Sequence, residues 1–162
     1  MADVTFRRAE RKDVPLILAF IRALAVYEHM EKDVTATPEL LEEWLFEKKK
    51  ANVLFAVNAD GKEVGFALYF YNFSTFLGKA GIYLEDLFVW AKERGKGYGK
   101  ALITELANIA LAEDCGRLEW SCLDWNAPSI AFYRSLGALP MQEWTVYRLT
   151  VPEMKRLTSR IR

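Results

Sequence analysis

The stretch Val89-Trp90-Ala91-Lys92-Glu93-Arg94-Gly95-Lys96-Gly97-Tyr98-Gly99-Lys100-Ala101 sets three glycines between an apolar run and a long amphipathic one. Upstream, Ile82 to Trp90 reads as a strand; downstream, Leu102, Leu106, Ile109 and Ala110 recur at helical spacing over about Tyr98 to Glu113. A helix opening from a glycine turn leaves its first N–H groups unpaired at the positive end of the macrodipole, where an anion can sit. Gly95, Gly97 and Gly99 place no side chain between phosphate oxygens and backbone, and Arg94, Lys96 and Lys100 add positive charge. Spacing excludes two familiar phosphate loops. A Walker A loop requires glycine at position 94 and a hydroxyl at position 101, where this chain has Arg94 and Ala101. A dinucleotide fingerprint fails at Leu102 when read from Gly97 and at Lys100 when read from Gly95. What remains is Arg-x-x-Gly-x-Gly on Arg94, Gly97 and Gly99, which by itself also fits a plain corner-turning loop.

Around this segment the elements alternate. A strand is expected at about Val4 to Arg7, then a helix from Asp13 to about Glu28, with Asp13 as N-cap and Pro15 in the first turn. Thr37-Pro38-Glu39-Leu40 opens a second helix that turns Leu41, Trp44 and Leu45 inward. Ala51 to Val57 and Val64 to Tyr71 read as strands around the Asn58-Ala59-Asp60-Gly61 turn, with a loop from Asn72 to Gly81. Arg117 to Cys122 is a strand, Ala127 to Leu136 a helix stopped by Gly137, and Glu143 to Leu149 a final strand. This order predicts a mixed α/β domain, a central sheet flanked by helices on both faces, within one domain spanning residues 1–162.

Composition narrows the function. The chain is 52% hydrophobic and 27% charged, so it has the material for a packed core. Its 22 basic residues balance 22 acidic ones, which argues against a nucleic-acid or anionic-membrane partner. Cys115 and Cys122 are too few for a disulfide framework, and a single histidine, His29, speaks against a His-based triad or a metal site. Without an export signal or a long apolar segment, the expected compartment is cytoplasmic.

A second segment gives the glycine loop a context. In Asp124-Trp125-Asn126-Ala127-Pro128-Ser129-Ile130-Ala131-Phe132-Tyr133-Arg134-Ser135-Leu136-Gly137, Asn126 reads as a helix cap and Tyr133 lies seven residues on. Loop and helix together resemble the GNAT superfamily of acyl-CoA-dependent N-acyltransferases, whose sheet is mixed and mostly antiparallel, and the element order follows that family along nearly the whole chain. Tyr83-Leu84-Glu85-Asp86-Leu87-Phe88-Val89 and Tyr27-Glu28-His29-Met30-Glu31 are similar to segments of the spermidine/spermine (diamine) and thialysine N-acetyltransferases. The resemblance implies a homodimeric enzyme that acetylates a small cationic amine with acetyl-CoA and releases CoA. It also implies coenzyme contacts from Leu87, Phe88 and Val89, from Arg94, Gly95, Lys96, Gly97, Tyr98, Gly99 and Lys100, and from Asn126 and Ser129. Leu139-Pro140-Met141-Gln142-Glu143 departs from the diamine pattern, which leaves the identity of the amine open.

The chemistry points to further residues. An alkyl amine with a pKa near about 10.4 arrives protonated and must lose a proton before attack. Glu85 and Asp86 stand side by side in an apolar strand, and strict alternation would send Tyr83, Glu85, Leu87 and Val89 to one face and Leu84, Asp86, Phe88 and Trp90 to the other. One acid is then half-buried and needs a cationic partner, either the substrate or a structural Arg or Lys. Glu85 is the expected proton acceptor, chiefly on the family match, and Tyr133 the acid for the leaving sulfur. Tyr27, Glu28 and Glu31, with Glu85 and Asp86, are the expected amine contacts; Glu28 and Glu31 would share a helical face. Two other readings stay open: a GNAT enzyme acting on protein lysines or N-termini, and a non-catalytic acyl-CoA sensor.

Overall fold

The computed structural model describes residues 3–159. The chain divides into two compact units, residues 1–121 and 122–162. In the first unit β1 (Val4–Arg8), β2 (Asn52–Asn58), β3 (Glu63–Ser74), β4 (Lys79–Val89) and β5 (Leu118–Trp120) form a sheet in sequential order. All neighbours are antiparallel except β4 and β5, which run parallel. The segment expected as a loop from Asn72 to Gly81 is mostly strand: β3 and β4 pair as far as Ser74 and Lys79, which leaves only a tight turn.

Helices α1 (Val14–Tyr27) and α3 (Tyr98–Ala112) cover opposite faces, as the alternation along β3 shows. Phe66 points to α1, where its ring stacks on Phe20 at 4.9 Å; Gly65, one residue earlier, lies against Leu102 of α3. A Cβ on Gly65 would come within 3.1 Å of Leu102 Cδ1 and the Phe88 carbonyl, so the missing side chain sets how closely α3 approaches. On the α1 side, Ile17, Phe20, Val53, Phe55, Phe66 and Phe88 form the core. Tyr69, Ile82, Leu84, Leu102 and Leu106 are fully buried as well.

Three local expectations change. Asp13 precedes α1 but does not cap it with its side chain; its carboxylate instead receives two hydrogen bonds from Arg7, at 2.8 and 2.9 Å, and one from the Glu10 amide. The second helix, α2 (Pro38–Leu41), starts on the Thr37 cap as expected and widens into a π-helical stretch over Glu42–Glu47. The wider turn brings Phe46 to the core side with Leu41 and Leu45, while Trp44 faces solvent beneath the Lys48 ammonium. Finally, α1 ends at Tyr27 because His29 adopts φ +59°, and Glu31 belongs to a separate 3-10 turn, so Glu28 and Glu31 do not share a helix face.

In the second unit α4 (Ala127–Ser135) begins on Asn126, whose Oδ1 accepts from the Ser129 amide at 3.3 Å, and ends before Gly137 at φ +84°. The strand expected over Glu143 to Leu149 is absent: these residues pair with no strand among the described residues and expose Trp144, Val146, Tyr147 and Leu149. Their alternation has the period of a strand, but a strand exists only where another backbone completes its ladder. A helix not expected from the sequence, α5 (Val151–Ser159), follows.

Candidate active site

Strand β4 carries the central irregularity. Asp86 lies opposite Leu68 and Leu84 opposite Tyr69, so Glu85 has no partner on β3 and forms a bulge. The bulge breaks the strict alternation expected from the sequence. Leu84 takes the same sheet face as Leu87, through their partners Tyr69 and Ala67, while Asp86 shares the α1 face with Phe88. Glu85 is exposed and Asp86 half-buried. Beside β4, β5 pairs only at Ile82, Tyr83 and Leu84, so the β4–β5 ladder ends where the bulge begins. Leu87, Phe88 and Val89 therefore keep main-chain groups on the edge that β5 does not reach.

Three carboxylates interact at this point. Burial first, then the charges of Glu85 and Glu28, push the Asp86 carboxyl up to about 7. Glu28, the C-cap of α1, is also raised by burial. None of the described cations forms an ion pair with Asp86 or Glu28, so a charged amine is a better partner here than any group of the fold. Glu31 is exposed and contributes nothing to this effect.

After β4 the chain makes one 3-10 turn, Ala91–Glu93, and passes through Gly95 and Gly97 into α3. Gly95 sits at φ +78° and Gly97, the N-cap of α3, at φ +91°, a region that L-residues rarely enter. With glycine at the cap, no side chain satisfies the first amides of α3; the helical ladder begins with Ala101 N–H donating to Gly97 at 3.0 Å. Gly99 and Lys100 fall in this open first turn, and Tyr98 is buried and anchors it. Lys96 pairs with Glu93 at 2.8 Å. Arg94 has no carboxylate partner among the described residues; its Nε donates to the Val89 carbonyl at 3.1 Å. Its guanidinium lies 4.8 Å from the Tyr27 ring centre and 5.1 Å from that of Phe88. Open amides, glycines without Cβ atoms and an uncompensated guanidinium fit a diphosphate.

Tyr27, an amine-contact candidate by sequence, thus puts its ring beside the phosphate loop, and Phe88 serves there as well. Sequence offers no signal for the second role, because a phenylalanine in an apolar strand reads simply as core. In the second unit Asn126 is buried, Ser129 is partly buried and its amide engages the Asn126 cap, and Tyr133 is half-buried beside Phe132 at 5.3 Å.

The bulged β4, the short β4–β5 ladder and the glycine-capped α3 are features of a mixed α/β fold that solved relatives share. The chain belongs to the acetyltransferase (GNAT) family, whose model matches residues 18–138, and its enzyme class is N-acetyltransferase. It is 34% identical over 171 residues to the thialysine N-epsilon-acetyltransferase of Bos taurus, covering 99% of this chain and 100% of that protein. It is 33% identical over 158 residues to the spermidine/spermine N(1)-acetyltransferase-like protein 1 of Homo sapiens, covering 91% of this chain and 23% of that one. Among solved structures, an integron cassette protein from the mobile metagenome of V. cholerae superposes with a TM-score of 0.79 at 31% identity, covering 98% of both chains. No helix of the described residues is long and apolar enough to cross a membrane.

Proposed function

We propose that the protein transfers an acetyl group from acetyl-CoA directly to a primary amine of a small cationic substrate of the diamine, polyamine or thialysine type. The observation that carries this reading is the Glu28–Glu85–Asp86 group at the β4 bulge, three acids with no ion-pair partner among the described residues, one of them held at about 7. Such a group favours a ligand with at least one ammonium and preferably two. The names of the relatives, which mention thialysine and spermidine/spermine, point the same way.

Acetyl-CoA supplies the activated acyl group and a thiolate leaving group. The first amides of α3, with Arg94, Gly95, Lys96, Gly97, Tyr98, Gly99 and Lys100, hold its diphosphate. The backbone of Leu87, Phe88 and Val89 takes the pantetheine arm, and Asn126 and Ser129 contribute further coenzyme contacts. Asp86, Glu28 and Glu31 attract the ammonium groups. Glu85 accepts the proton of the attacking amine, directly or through water, so that the nitrogen lone pair becomes available. As the C–N bond forms and the C–S bond breaks, the Tyr133 hydroxyl gives its proton to the departing sulfur, and the second proton that the new amide nitrogen sheds passes through water to restore the phenol. A single catalytic domain over residues 1–162 is part of the proposal, supported by a family match that covers residues 18–138. Exposed Phe73, Phe76 and Leu77 at the β3–β4 hairpin support a homodimer, and the cytoplasm is the proposed compartment.

The test is incubation with acetyl-CoA and a panel of diamines, polyamines, thialysine, lysine peptides and peptide N-termini, with thiol release as readout. Fastest turnover on the free di- and polycationic amines supports the proposal. Preference for peptides would move the function to protein acetylation, and tight CoA binding without turnover would leave a sensor.

A further inference from the structure

Beyond the three acids, β4 and β5 carry a second polar group on the same sheet face. On β3, Phe66, Leu68, Phe70 and Asn72 alternate onto the α1 face, and they pair with Phe88, Asp86, Tyr83 and Gly81. Glu119 of β5 pairs with Tyr83 and so lies on that face as well. Its Oε1 is held twice, by Arg117 Nε at 2.7 Å and by the Asn72 side-chain amide, which donates at 3.0 Å. Asn72 fits because residue 81 is glycine: a Cβ there would come within 2.5 Å of the Asn72 Oδ1. Among the described residues no further hydrogen bond engages Glu119 Oε2 or the terminal nitrogens of Arg117, and both side chains are partly open to solvent. Next to Glu119 the face carries Tyr83, its ring stacked on Phe70 at 5.2 Å and its hydroxyl 2.7 Å from that of Ser121. Asp86 and Tyr83 face β3 residues two apart, about 7 Å along the sheet, and Glu119 stands one strand further across, about 5 Å. That span is about the length of an extended lysine or ornithine side chain.

We infer that Arg117 and Glu119 are specificity residues that read the zwitterionic head group of an ω-amino α-amino acid, so that the protein favours such a substrate over a diamine of equal length. The inference rests on the proposed acetyl transfer at the β4 bulge. With the side-chain ammonium beside Glu85 and Asp86, the carbon chain lies along Tyr83 and the head group reaches Glu119 and Arg117. The α-carboxylate takes the terminal N–H groups of Arg117, whose planar fork suits it, and the α-ammonium takes Glu119 Oε2. A diamine gains less from the same place. Its second ammonium meets a carboxylate that Arg117 already neutralises, next to a guanidinium that repels it. A surface ion pair adds little to stability, whereas a Glu119 fixed by two donors is ordered before the ligand arrives and loses little entropy on binding.

The experiment measures kcat/KM at saturating acetyl-CoA for matched pairs that differ by one carboxylate, lysine against cadaverine and ornithine against putrescine. Lysinamide, in which a neutral amide replaces the carboxylate, completes the set. Wild type should favour each amino acid over its diamine roughly tenfold or more, the worth of one charge-assisted hydrogen bond, and lysinamide should fall toward cadaverine. Mass spectrometry of the product should place the acetyl group on the side-chain nitrogen. In Arg117→Gln the amino-acid-to-diamine ratio should drop roughly tenfold, through KM more than kcat, and Arg117→Lys should recover only part of it because the fork is lost. Should Arg117→Gln fail to fold, the wild-type comparison of lysine with lysinamide tests the same contact. Diamines used as well as or better than the amino acids overturn the inference and leave amine acetylation standing, as does acetylation at the α-nitrogen. A ratio that Arg117→Gln does not change overturns it too. No turnover with any amine overturns the proposed function, and the inference falls with it.

Discussion

Glu85 and Asp86 are adjacent in sequence, yet the β4 bulge gives them different surroundings: Glu85 is left unpaired and exposed, and Asp86 is turned onto the α1 face opposite Leu68. The bulge makes Asp86 a pH-sensitive group. With its carboxyl raised to about 7, Asp86 is largely protonated at pH 6 and largely charged at pH 8. Amine capture should therefore strengthen with pH, and kcat/KM for the amine should climb through about 7 in the free enzyme. Asp86→Asn should raise the amine KM roughly ten- to hundredfold, the loss expected for a charge-assisted hydrogen bond, and abolish that limb of the profile. A profile unchanged by the substitution would remove Asp86 from the site.

The same residue carries a stability consequence of opposite sense. An acid whose folded pKa lies above its unfolded value favours the fold while protonated, and loses that contribution as pH rises through the folded pKa. Without amine, the wild type should lose stability between about pH 4, where the unfolded carboxyl begins to ionise, and about pH 7, where the folded one does. Asp86→Asn should remove this dependence and be the more stable protein at pH 8, by at most about 4 kcal/mol. Urea melts at the two pH values decide it, and added diamine should narrow the gap by giving the carboxylate a counter-ion.

On β1, Arg7 lies over the Phe55 ring and bridges Asp13 and Glu63, with 2.6 Å to the Glu63 carboxylate. The Arg7 guanidinium holds Asp13 below the usual carboxylate range. Here the folded pKa is depressed, so the stabilisation is present above the unfolded value of about 3.9 and is lost as pH falls through the folded one. Arg7→Leu should cost about 2–3 kcal/mol near neutral pH, less than a fully buried pair because Arg7 is partly exposed, and should flatten the acid limb of the melt. Acetyl transfer at 25 °C should be unaffected.

Much of this was legible in the sequence because it depends on local patterns. The three glycines at Gly95, Gly97 and Gly99, the Asn126 cap, the Thr37-Pro38 start and the stop at Gly137 each have a mechanism that a short stretch of chain contains. The Glu85 bulge does not: it arises because β4 must pair with β3 on both sides of an extra residue, and nothing in Leu84-Glu85-Asp86-Leu87 states the register. The inward turn of Phe46 in place of Trp44 follows from a π-helical widening for which the apolar spacing gives no warning. Glu143 to Leu149 shows the converse, since its period is that of a strand but a period cannot supply the neighbour. Arg94 was readable as an anion-binding cation; its aromatic supports come from α1 and β4, distant in sequence.

Gly97 offers a test of backbone geometry alone. A Cβ built there meets nothing within 4 Å, so the penalty for a side chain comes from φ +91° and not from crowding. Gly97→Ala should lower stability by about 1–2 kcal/mol, and Gly97→Val by more, because β-branching adds to the left-handed strain. Gly97→Asn should be the mildest of the three. CoA affinity should fall in the same order if the loop amides must hold their directions to bind the diphosphate. A series that tracks side-chain size while stability stays constant would place the coenzyme against Gly97 itself.

Tyr133→Phe separates chemistry from binding. The substitution removes one hydroxyl from α4 and keeps the ring that lies beside Phe132, so the helix and its Asn126 cap should survive and the melting temperature should move little. If the phenol protonates the departing sulfur, its loss deprives the C–S cleavage step of a positioned acid, and kcat should drop about a hundredfold or more while the CoA dissociation constant holds within twofold. The deficit should also depend on the leaving group: an acyl donor with a more acidic thiol needs less help, so the ratio of wild-type to variant rates should shrink as the thiol pKa falls. A kcat equal to wild type with every donor would strip Tyr133 of the role and leave solvent as the proton source.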